Sequence, residues 1–283
     1  MAVSDGKTGV GSLTLVGTPI GNLSDFSPRA IEALAAADVI AAEDTRVSLK
    51  LFNHFGVKKP LVSYHEHNTQ SRGEELIARM QAGQQVALVT DAGMPAISDP
   101  GETLVAACHE RGIPVRVVPG PTALTTAVAL SGLPSGRFTF EGFLSVNKQP
   151  RREHLRSLIN EPRTMVLYEA PHKLRATLRD LLDTLGDRRL AIVRELTKIH
   201  EEVQVTTLSQ AVARYDAEEP RGEIVLVIEG APAPAPGESV SLEEAAALAR
   251  RFIEEGDRPA DAAKKAAGQT GHKKGDLYKL IVK

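Results

Sequence analysis

Short apolar runs alternate with amphipathic stretches along the first half of the chain. Runs typical of buried strands occupy positions 13–16, 39–42, 61–64, 86–90 and 115–118. Between and after them, apolar residues recur with helical spacing at 28–37, 48–55, 70–82, 101–111 and 122–131. Strands separated by helices of about ten residues predict βαβ units and a largely parallel sheet.

A second pattern follows the turn cluster at 132–136. Strands are predicted at 138–141, 165–168, 190–193, 203–206 and 224–228, with helices at 151–159, 173–185 and 208–215. These elements lie closer together, which favours a sheet of mixed rather than all-parallel strands. We therefore predict two α/β domains, at 12–132 and 133–230, preceded by a disordered segment at 1–11.

The end of the chain changes character. Alternating Ala and Pro from Ala231 to Pro236 predicts a stiff, extended linker at 231–239. Helical runs at 242–255, 259–267 and 273–281 then predict an all-α extension at 240–283 with a helix-turn-helix-like layout. Such a module often binds nucleic acid, but a small protein-docking bundle has the same pattern.

Composition narrows the class of protein only slightly. The chain has 283 residues, 42% of them hydrophobic, and one cysteine, so an internal disulfide is excluded and a reducing compartment is favoured. Cys108 lies within a predicted helix and is expected to be a buried structural thiol. The first residues lack a signal-peptide pattern, and no apolar run approaches the roughly 18 residues of a membrane span. We therefore expect a soluble, cytoplasmic protein with no membrane partner.

Charge is distributed unevenly, although the net charge is only −2. The segment 250–283 has nine Lys or Arg against five Asp or Glu, and a second basic group lies near the middle of the chain. Each group is a candidate phosphate-binding surface or an ordinary solvated surface. The candidate RNA-binding residues are Lys148, Arg151, Arg152, Arg156, Lys264, Lys265, Lys273 and Lys274.

Two strand-to-helix turns are rich in Gly, Pro and small residues. They occupy 89–101 and 119–123, each after a predicted strand and before a predicted helix. Small side chains leave backbone N–H and C=O groups open to a flat, polar ligand, so these turns predict a nucleotide-like cofactor held mostly by main chain. The first turn, with Gly17 and Gly21, lacks the GxGxxG spacing of dinucleotide-binding proteins. A P-loop and a Ser-centred nucleophile elbow are also absent from the sequence.

Polar residues at other strand ends are candidates for chemistry. Glu43, Asp44 and Arg46 follow the second predicted strand, at the edge where α/β sheets bind ligands. A helix cap with a surface ion pair explains the same residues, and both interpretations stay open. His65 and His67 have no third ligand at a recognisable spacing, so a metal site is not expected.

Five ordered motifs resemble the tetrapyrrole methylase superfamily, whose members bind S-adenosylmethionine between two α/β domains. The motifs lie at 16–23, 42–46, 91–101, 119–123 and 167–172, and Gly222-Glu223 before the last strand also fits. The likeness spans roughly 12–230, and the C-terminal helices look like a small helical extension of the family. It implies a two-domain tetrapyrrole-methylase-like α/β fold with the cofactor cleft between the domains and a small all-α extension.

Within the superfamily, the chain is most similar to the branch that modifies ribosomal RNA. Tetrapyrrole-modifying members have Gly-x-Gly-Pro-Gly in the first turn and Gly-Asp-Pro in the later one, whereas this chain has Gly17-Thr-Pro19 and Ala92-Gly-Met-Pro95. The resemblance implies methylation of the ribose 2′-hydroxyl of a decoding-centre cytidine, with S-adenosylmethionine as cofactor and small-subunit ribosomal RNA as partner. A homodimer is expected from the family.

The resemblance also assigns roles to individual residues. Residues implied to contact the cofactor are Pro19, Ala92, Gly93, Met94, Ile97, Thr122, Ala123, Tyr168 and Glu169. A ribose hydroxyl is a weak acid, so a base that accepts its proton would speed the reaction. We take as candidates for substrate positioning or proton transfer Glu43, Asp44, Arg46 and Asp99.

Two other functions are compatible with the sequence. One is methylation of a small, tetrapyrrole-like molecule on the same fold, which activity without ribosomal RNA would favour. The other is a non-catalytic ribosome-assembly factor that retains the fold, which failure to bind S-adenosylmethionine would favour.

Overall fold

The first half of the chain folds into a five-stranded sheet. The computed structural model describes residues 9–232, 241–254 and 256–282. The strands are β1 (Ser12–Val16), β2 (Val39–Ala42), β3 (Leu61–Ser63), β4 (Gln85–Val89) and β5 (Val115–Val118). The helices are α1 (Pro28–Ala36), α2 (Thr45–His54), α3 (Thr69–Gln81), α4 (Glu102–Glu110) and α5 (Ala123–Ser131). The strand order is β3-β2-β4-β1-β5 and all four pairings are parallel, as predicted.

Alternate side chains of this sheet pack into two separate cores, because successive residues of a strand point to opposite faces. On β4, Val86 and Leu88 pack with α3 and α4, whereas Ala87 and Val89 pack with α1 and α2. Helices on both faces are what an all-parallel sheet requires. Cys108 is buried in the first of these cores, as expected.

The second half forms a sheet of mixed direction. Its strands are β6 (Phe138–Phe143), β7 (Thr164–Glu169), β8 (Arg189–Arg194), β9 (Glu202–Thr207) and β10 (Ile224–Ile228). Its helices are α6 (Lys148–Ser157), α7 (Pro171–Leu185) and α8 (Leu208–Ala217). The order is β6-β7-β10-β8-β9, with β6 parallel to β7 and the other three pairs antiparallel. The predicted mixed pairing is therefore confirmed.

The two faces of the second sheet have different neighbours. One face packs on α6, α7 and α8. The other face, which includes Val166, Val193 and Val225, packs on α5 and on Ile20 from the first half of the chain. The backbone N–H of Leu124, at the start of α5, also donates to the Tyr168 hydroxyl on β7 over 3.1 Å. Helix α5 therefore joins the two halves.

Three helices form the end of the chain, which divides into two compact units after Ala231. They are α9 (Leu242–Glu254), α10 (Pro259–Thr270) and α11 (Lys274–Ile281). Small side chains such as Ala245, Ala249 and Ala266 pack around Leu277, which allows the helices to approach closely. None of the helices in the described ranges is both long and apolar enough to cross a membrane.

The predicted boundaries differ from the structure by a few residues at several ends. Helix α2 begins at Thr45 rather than at position 48, because the Asp44 side chain accepts the N–H of Arg46 and caps the helix. Helix α10 runs to Thr270, where Gly271 ends it in the left-handed conformation. The predicted disorder at 1–8, the predicted linker at 233–239 and Glu255 lie outside the described residues.

Two glycines bring the first and last turns of the parallel sheet into contact. A Cβ on Gly17 would lie 2.7 Å from the Cα atom of Gly120, and a Cβ on Gly120 would lie 2.9 Å from the Cα atom of Gly17. Backbone is on both sides of this contact, so a side chain cannot be accommodated by a change of rotamer. The turns stay together only while both positions are glycine.

We expect Gly120→Ala to lower the free energy of unfolding by about 1–3 kcal/mol, the usual effect of an added methyl in a filled space. The measurement is urea unfolding followed by circular dichroism. Gly73→Ala is the matched control, because Gly73 lies within α3 and an added Cβ would meet no atom within 4 Å. That variant should be neutral or more stable by roughly 0.5–1 kcal/mol. Equal loss of stability in both variants would contradict the close-contact explanation.

Candidate active site

A cavity of about 440 Å³ lies where strand ends of both sheets meet. The carboxyl ends of β2 and β4 and the start of α5 form one wall. The ends of β6, β7 and β8 and the start of β10, which runs antiparallel to its neighbours, form the other. The lining residues are Ile20, Glu43, Thr90, Asp91, Ala92, Gly93, Met94, Ile97, Ser98, Asp99, Thr122, Ala123, Phe143, Tyr168, Glu169, Ala170, Pro171, Val193, Leu196, Glu223, Ile224 and Val225. We call this cavity the cleft.

Main-chain contacts fix the floor of the cleft. The N–H of Thr18 donates to the carbonyl of Gly93 over 2.9 Å, and the N–H of Gly93 donates back over 3.2 Å. The Thr18 hydroxyl donates to the carbonyl of Thr90 over 3.1 Å. The turns after β1 and β4 are thus held together by their own backbone. The N–H and carbonyl groups of Gly93, which the small side chains are expected to leave open to a ligand, are both bonded to Thr18 instead.

The segment 91–101 adopts a strained backbone. Gly93 has φ of 96°, and Ala96 and Ser98 have φ of 68° and 63°, a region that residues with a Cβ rarely occupy. Such strain persists where surrounding contacts enforce it, and it is common at functional sites. Ile97, between the two strained residues, lines the cleft and is 47% exposed. Asp99 comes directly after Ser98 and also lines the cleft.

Carboxylates dominate the charge of the first wall. Thr90 donates its hydroxyl proton to Glu43 over 2.8 Å, and the N–H of Asp44 donates to Asp91 over 3.0 Å. Burial raises the pKa of Asp99 to about 6, against the lowering effect of a hydrogen bond with Thr90 and with further raising by the charges of Glu43 and Asp91. Burial thus makes Asp99 easier to protonate than an exposed aspartate.

The second wall is aromatic and firmly anchored. Phe140 and Phe143 contact the Tyr168 ring edge to face, with centroids 5.0 and 5.5 Å away. Burial raises the pKa of the Tyr168 hydroxyl, which stays neutral while it accepts the N–H of Leu124. Glu169 is 5% exposed, and its carboxylate accepts the N–H of Ala170 and the hydroxyl of Thr177.

A tight loop after β8 closes one end of the cleft. Glu195 and Thr197 have φ of 52° and 64°, and Leu196 between them lines the cleft. Lys198 forms ion pairs of 3.0 Å with Glu195 and with Glu223, another lining residue. The ammonium group is therefore neutralised by carboxylates of this wall.

Most residues expected to contact a cofactor line the cleft. Those that do are Ala92, Gly93, Met94, Ile97, Thr122, Ala123, Tyr168 and Glu169. Pro19 does not line it; its neighbour Ile20 does, because the turn after β1 directs that side chain toward the second sheet.

The four candidates for proton transfer separate into two groups. Glu43 and Asp99 line the cleft. Asp44 and Arg46 do not: Asp44 caps α2 and pairs with Arg46 over 2.6 Å, and the Arg46 side chain is 87% exposed. Asp44 is therefore the helix cap, whereas Glu43 faces the cleft.

The candidate RNA-binding residues also separate. On α6, Lys148, Arg152 and Arg156 are exposed, whereas Arg151 is largely buried and contacts Asp180 and Thr177. The four candidate lysines of the helical unit are also exposed; they are Lys264, Lys265, Lys273 and Lys274. Lys265 forms an ion pair of 2.6 Å with Asp257.

Several lining residues were not predicted from the sequence. Thr90 is the last residue of the strand predicted at 86–90, and Asp91 directly follows it, so strand-end position was a usable signal for both. Phe143, Leu196 and the start of β10 carry no such signal, since their position depends on the strand order of the second sheet. The rings of His65 and His67 meet edge to face with centroids 5.9 Å apart, and no group of residues suited to a metal occurs within the described ranges.

The cleft fits a flat, positively charged small molecule. Its volume is in the range of about 300–1,000 Å³ that such sites occupy. Carboxylates line both walls, and none of the described lining residues is basic. Small side chains at the turns after β4 and β5 leave space for a nucleoside, and the carboxylates suit a cation.

Comparison with known proteins identifies the class. Residues 12–212 match the family model described as Tetrapyrrole (Corrin/Porphyrin) Methylases. The chain belongs to this family, and its α/β fold with the C-terminal helices agrees with the fold expected from the sequence.

Two relatives carry a more specific name. The chain is 49% identical over 272 residues to "Ribosomal RNA small subunit methyltransferase I" of Synechocystis sp., covering 96% of this chain and 97% of the relative. It is 48% identical over 221 residues to the protein of the same name from Thermotoga maritima, covering 78% of this chain and 99% of that relative. The Thermotoga protein is therefore too short to match both units of this chain in full.

A solved structure shows the same fold at greater distance. The crystal structure of uroporphyrin-III-C-methyltransferase from Thermus thermophilus superposes with a TM-score of 0.55 and 22% identity, covering 77% of this chain and 94% of the other. The likeness concerns the fold alone.

The raised pKa of Asp99 makes stability depend on pH. A carboxyl with a pKa of about 6 in the folded state and near 3.8 when unfolded stabilises the fold only while protonated. Its contribution is therefore lost as pH rises from about 4 through 6. We expect Asp99→Asn to gain stability relative to the unmodified protein over this interval and to keep that gain at higher pH, as measured by urea unfolding between pH 4.5 and 8. Asp183→Asn, at an exposed position of α7, should show no such trend; parallel curves for both variants would contradict the assignment.

Proposed function

We propose that this chain is an S-adenosylmethionine-dependent methyltransferase of small-subunit ribosomal RNA, and that it methylates the ribose 2′-hydroxyl of a decoding-centre cytidine. The observation that carries the proposal is the sequence similarity, at 41–49% identity over nearly the whole chain, to relatives named as methyltransferases of small-subunit ribosomal RNA. The cleft supports the choice of cofactor, and the residue-level resemblance of the turns supports the choice of acceptor. We place the activity in the cytoplasm, where ribosomal subunits are.

When bound, S-adenosylmethionine supplies an activated methyl group on a positively charged sulfur. Ala92, Gly93, Thr122 and Ala123 would contact it. Tyr168 and Ile97 would enclose its apolar parts. Holding the acceptor in line within such an enclosed site contributes up to roughly 7–11 kcal/mol to rate acceleration. The carboxylates Glu43 and Asp99 then attract the cation and face the acceptor.

The electrostatics of the cleft bear on how RNA approaches. Phosphates are repelled by a cavity lined with carboxylates, so we propose that one nucleoside is turned out of the RNA into the cleft while its neighbours' phosphates stay outside. Lys148, Arg152 and Arg156 on α6 and the lysines of the helical unit are the phosphate contacts we propose. All residues that line the cleft belong to the unit that ends at Ala231, so the helical unit would add affinity rather than chemistry.

The direct test is transfer of labelled methyl from S-adenosylmethionine to small ribosomal subunits from a strain that lacks this protein, with mapping of the modified nucleotide. Label on one cytidine ribose at the decoding centre is the expected result. If the protein binds the cofactor but transfers methyl only to a small tetrapyrrole-like molecule, that molecule and not RNA is the acceptor. Failure to bind the cofactor would favour a non-catalytic assembly factor.

We expect the combined variant Lys148→Gln, Arg152→Gln and Arg156→Gln to bind small subunits more weakly and to reduce the salt dependence of binding. Each lost phosphate contact should lower the slope of log affinity against log salt by about 1. Arg179→Gln is the control, because Arg179 is an exposed arginine of α7 that pairs with Asp216 over 2.6 Å. An unchanged slope in the combined variant would remove α6 from the RNA-binding surface.

We also propose that the protein acts as a homodimer, as the family resemblance implies. Sedimentation equilibrium at micromolar concentration should give twice the mass of the 30.3 kDa chain. A single-chain mass at that concentration would contradict it.

A further inference from the structure

The Glu169 carboxylate, on the second wall of the cleft, is held by the protein at both of its oxygens. Glu169 ends β7 and lines the cleft, although only 5% of the residue is exposed. Its Oε1 accepts the N–H of Ala170 over 2.8 Å, and its Oε2 accepts the hydroxyl of Thr177. A carboxylate has about four acceptor sites, so lone pairs remain for a hydrogen-bond donor in the cleft.

Arg151 determines the direction of the hydrogen bond between Thr177 and Glu169. Nη2 of Arg151 donates to Thr177 Oγ1 over 2.8 Å, so the hydroxyl oxygen is the acceptor in this contact. Because arginine has no acceptor and a hydroxyl has one proton, the Thr177 proton is left for Glu169. The guanidinium is itself held by Asp180, which accepts its Nε–H over 2.7 Å. The four side chains therefore form one directed chain of hydrogen bonds that ends at the wall of the cleft.

Both connecting side chains lie inside the second half of the chain. Thr177 is 0% exposed, and the side chain of Arg151 is 15% exposed. Leu155, one helical turn after Arg151 on the same face of α6, is buried in the core that α6 shares with the sheet. Lys148 and Arg152 on the same helix are exposed. An arginine predicted to contact RNA is thus connected to the cleft wall instead.

We infer that Arg151 and Thr177 are positioning residues of the S-adenosylmethionine site, which fix the Glu169 carboxylate so that it accepts a hydrogen bond from the bound cofactor. This inference rests on the cofactor of the proposed function and not on its RNA acceptor. The cofactor has an ammonium group, ribose hydroxyls and an adenine amino group, each of which can donate to a carboxylate.

The effect on affinity follows from the freedom of the carboxylate. Without the Thr177 hydroxyl, Glu169 keeps only the anchor at the N–H of Ala170, and the terminal torsion of a glutamate side chain has a broad range. The cofactor then has to order the carboxylate when it binds, and that ordering costs affinity. The carboxylate itself and the other lining residues are unchanged.

The first experiment is calorimetry of S-adenosylmethionine with the protein alone. Thr177→Val keeps the shape of the side chain and removes its hydroxyl, and we expect affinity to fall about tenfold, within the range of a hydrogen bond to a charged group. Thr177→Ser keeps the hydroxyl and should restore affinity to within about twofold of the unmodified protein. Thr164→Val is the matched control, because Thr164 is a buried threonine at the opposite end of β7 whose hydroxyl donates to Pro134 over 2.6 Å. It should lose stability without losing affinity.

The second experiment removes the arginine. Arg151→Met should weaken cofactor binding in the same sense as Thr177→Val but by less, because the Thr177 hydroxyl is still present and can donate to Glu169. Arg179→Met is its control, since Arg179 is an exposed arginine of α7 whose ion pair with Asp216, 2.6 Å long, lies on the surface. This control should bind the cofactor as the unmodified protein does.

A double-mutant cycle distinguishes positioning of Glu169 from a general effect on the fold. In a Glu169→Gln background the carboxylate is gone, so Thr177→Val should weaken cofactor binding far less than it does in the unmodified protein. If Thr177 acts only on the fold, the two changes are expected to add.

The outcomes separate the inference from the proposed function. Unchanged affinity in Thr177→Val, equal losses in Thr177→Val and Thr164→Val, or additive effects in the cycle would each overturn the inference. Urea unfolding shows whether each variant is folded, and Arg151→Met decides the matter if Thr177→Val is not. An unmodified protein that binds the cofactor without methylating RNA overturns the acceptor of the proposed function and leaves the inference standing. An unmodified protein that does not bind the cofactor overturns both.

Discussion

Burial of one face of the second sheet against α5 is the interaction on which the rest of the site depends. Val166, Val193 and Val225 make that face apolar, and α5 belongs to the first half of the chain. Removing this surface from water stabilises the contact by about 25 cal/mol per Å². Because the contact fixes the halves relative to each other, the strand ends of both sheets meet along one cleft. Every residue assigned a role in chemistry is positioned by that arrangement.

The sequence predicted the elements of the fold well, because local patterns determine them. The strands at 39–42, 115–118 and 224–228 have the bounds predicted from apolar runs alone, and the mixed character of the second sheet followed from the short spacing of its elements. Strand order is set by packing between distant segments. For that reason the contributions of Phe143 and Leu196 to the cleft had no local signal.

The candidate site likewise contains some residues that local sequence identified and others that it did not. Turns rich in small residues identified most of one wall, since backbone exposure follows directly from side-chain size. The charged group after β2 was ambiguous in sequence, because a helix cap and a ligand-facing acid use the same residue types at adjacent positions. The structure separates them through one hydrogen bond, from Thr90 to Glu43, whose partners are 47 residues apart.

The acidic lining of the cleft has a consequence for turnover. A sulfonium carries a positive charge that the thioether left after methyl transfer does not. Under the proposed function, the carboxylates of the first wall would therefore hold the spent molecule less strongly than the fresh one, by an amount set by Coulomb attraction across a partly dry site. Loss of charge in the reaction would itself promote exchange of product for substrate, with no movement of the protein required.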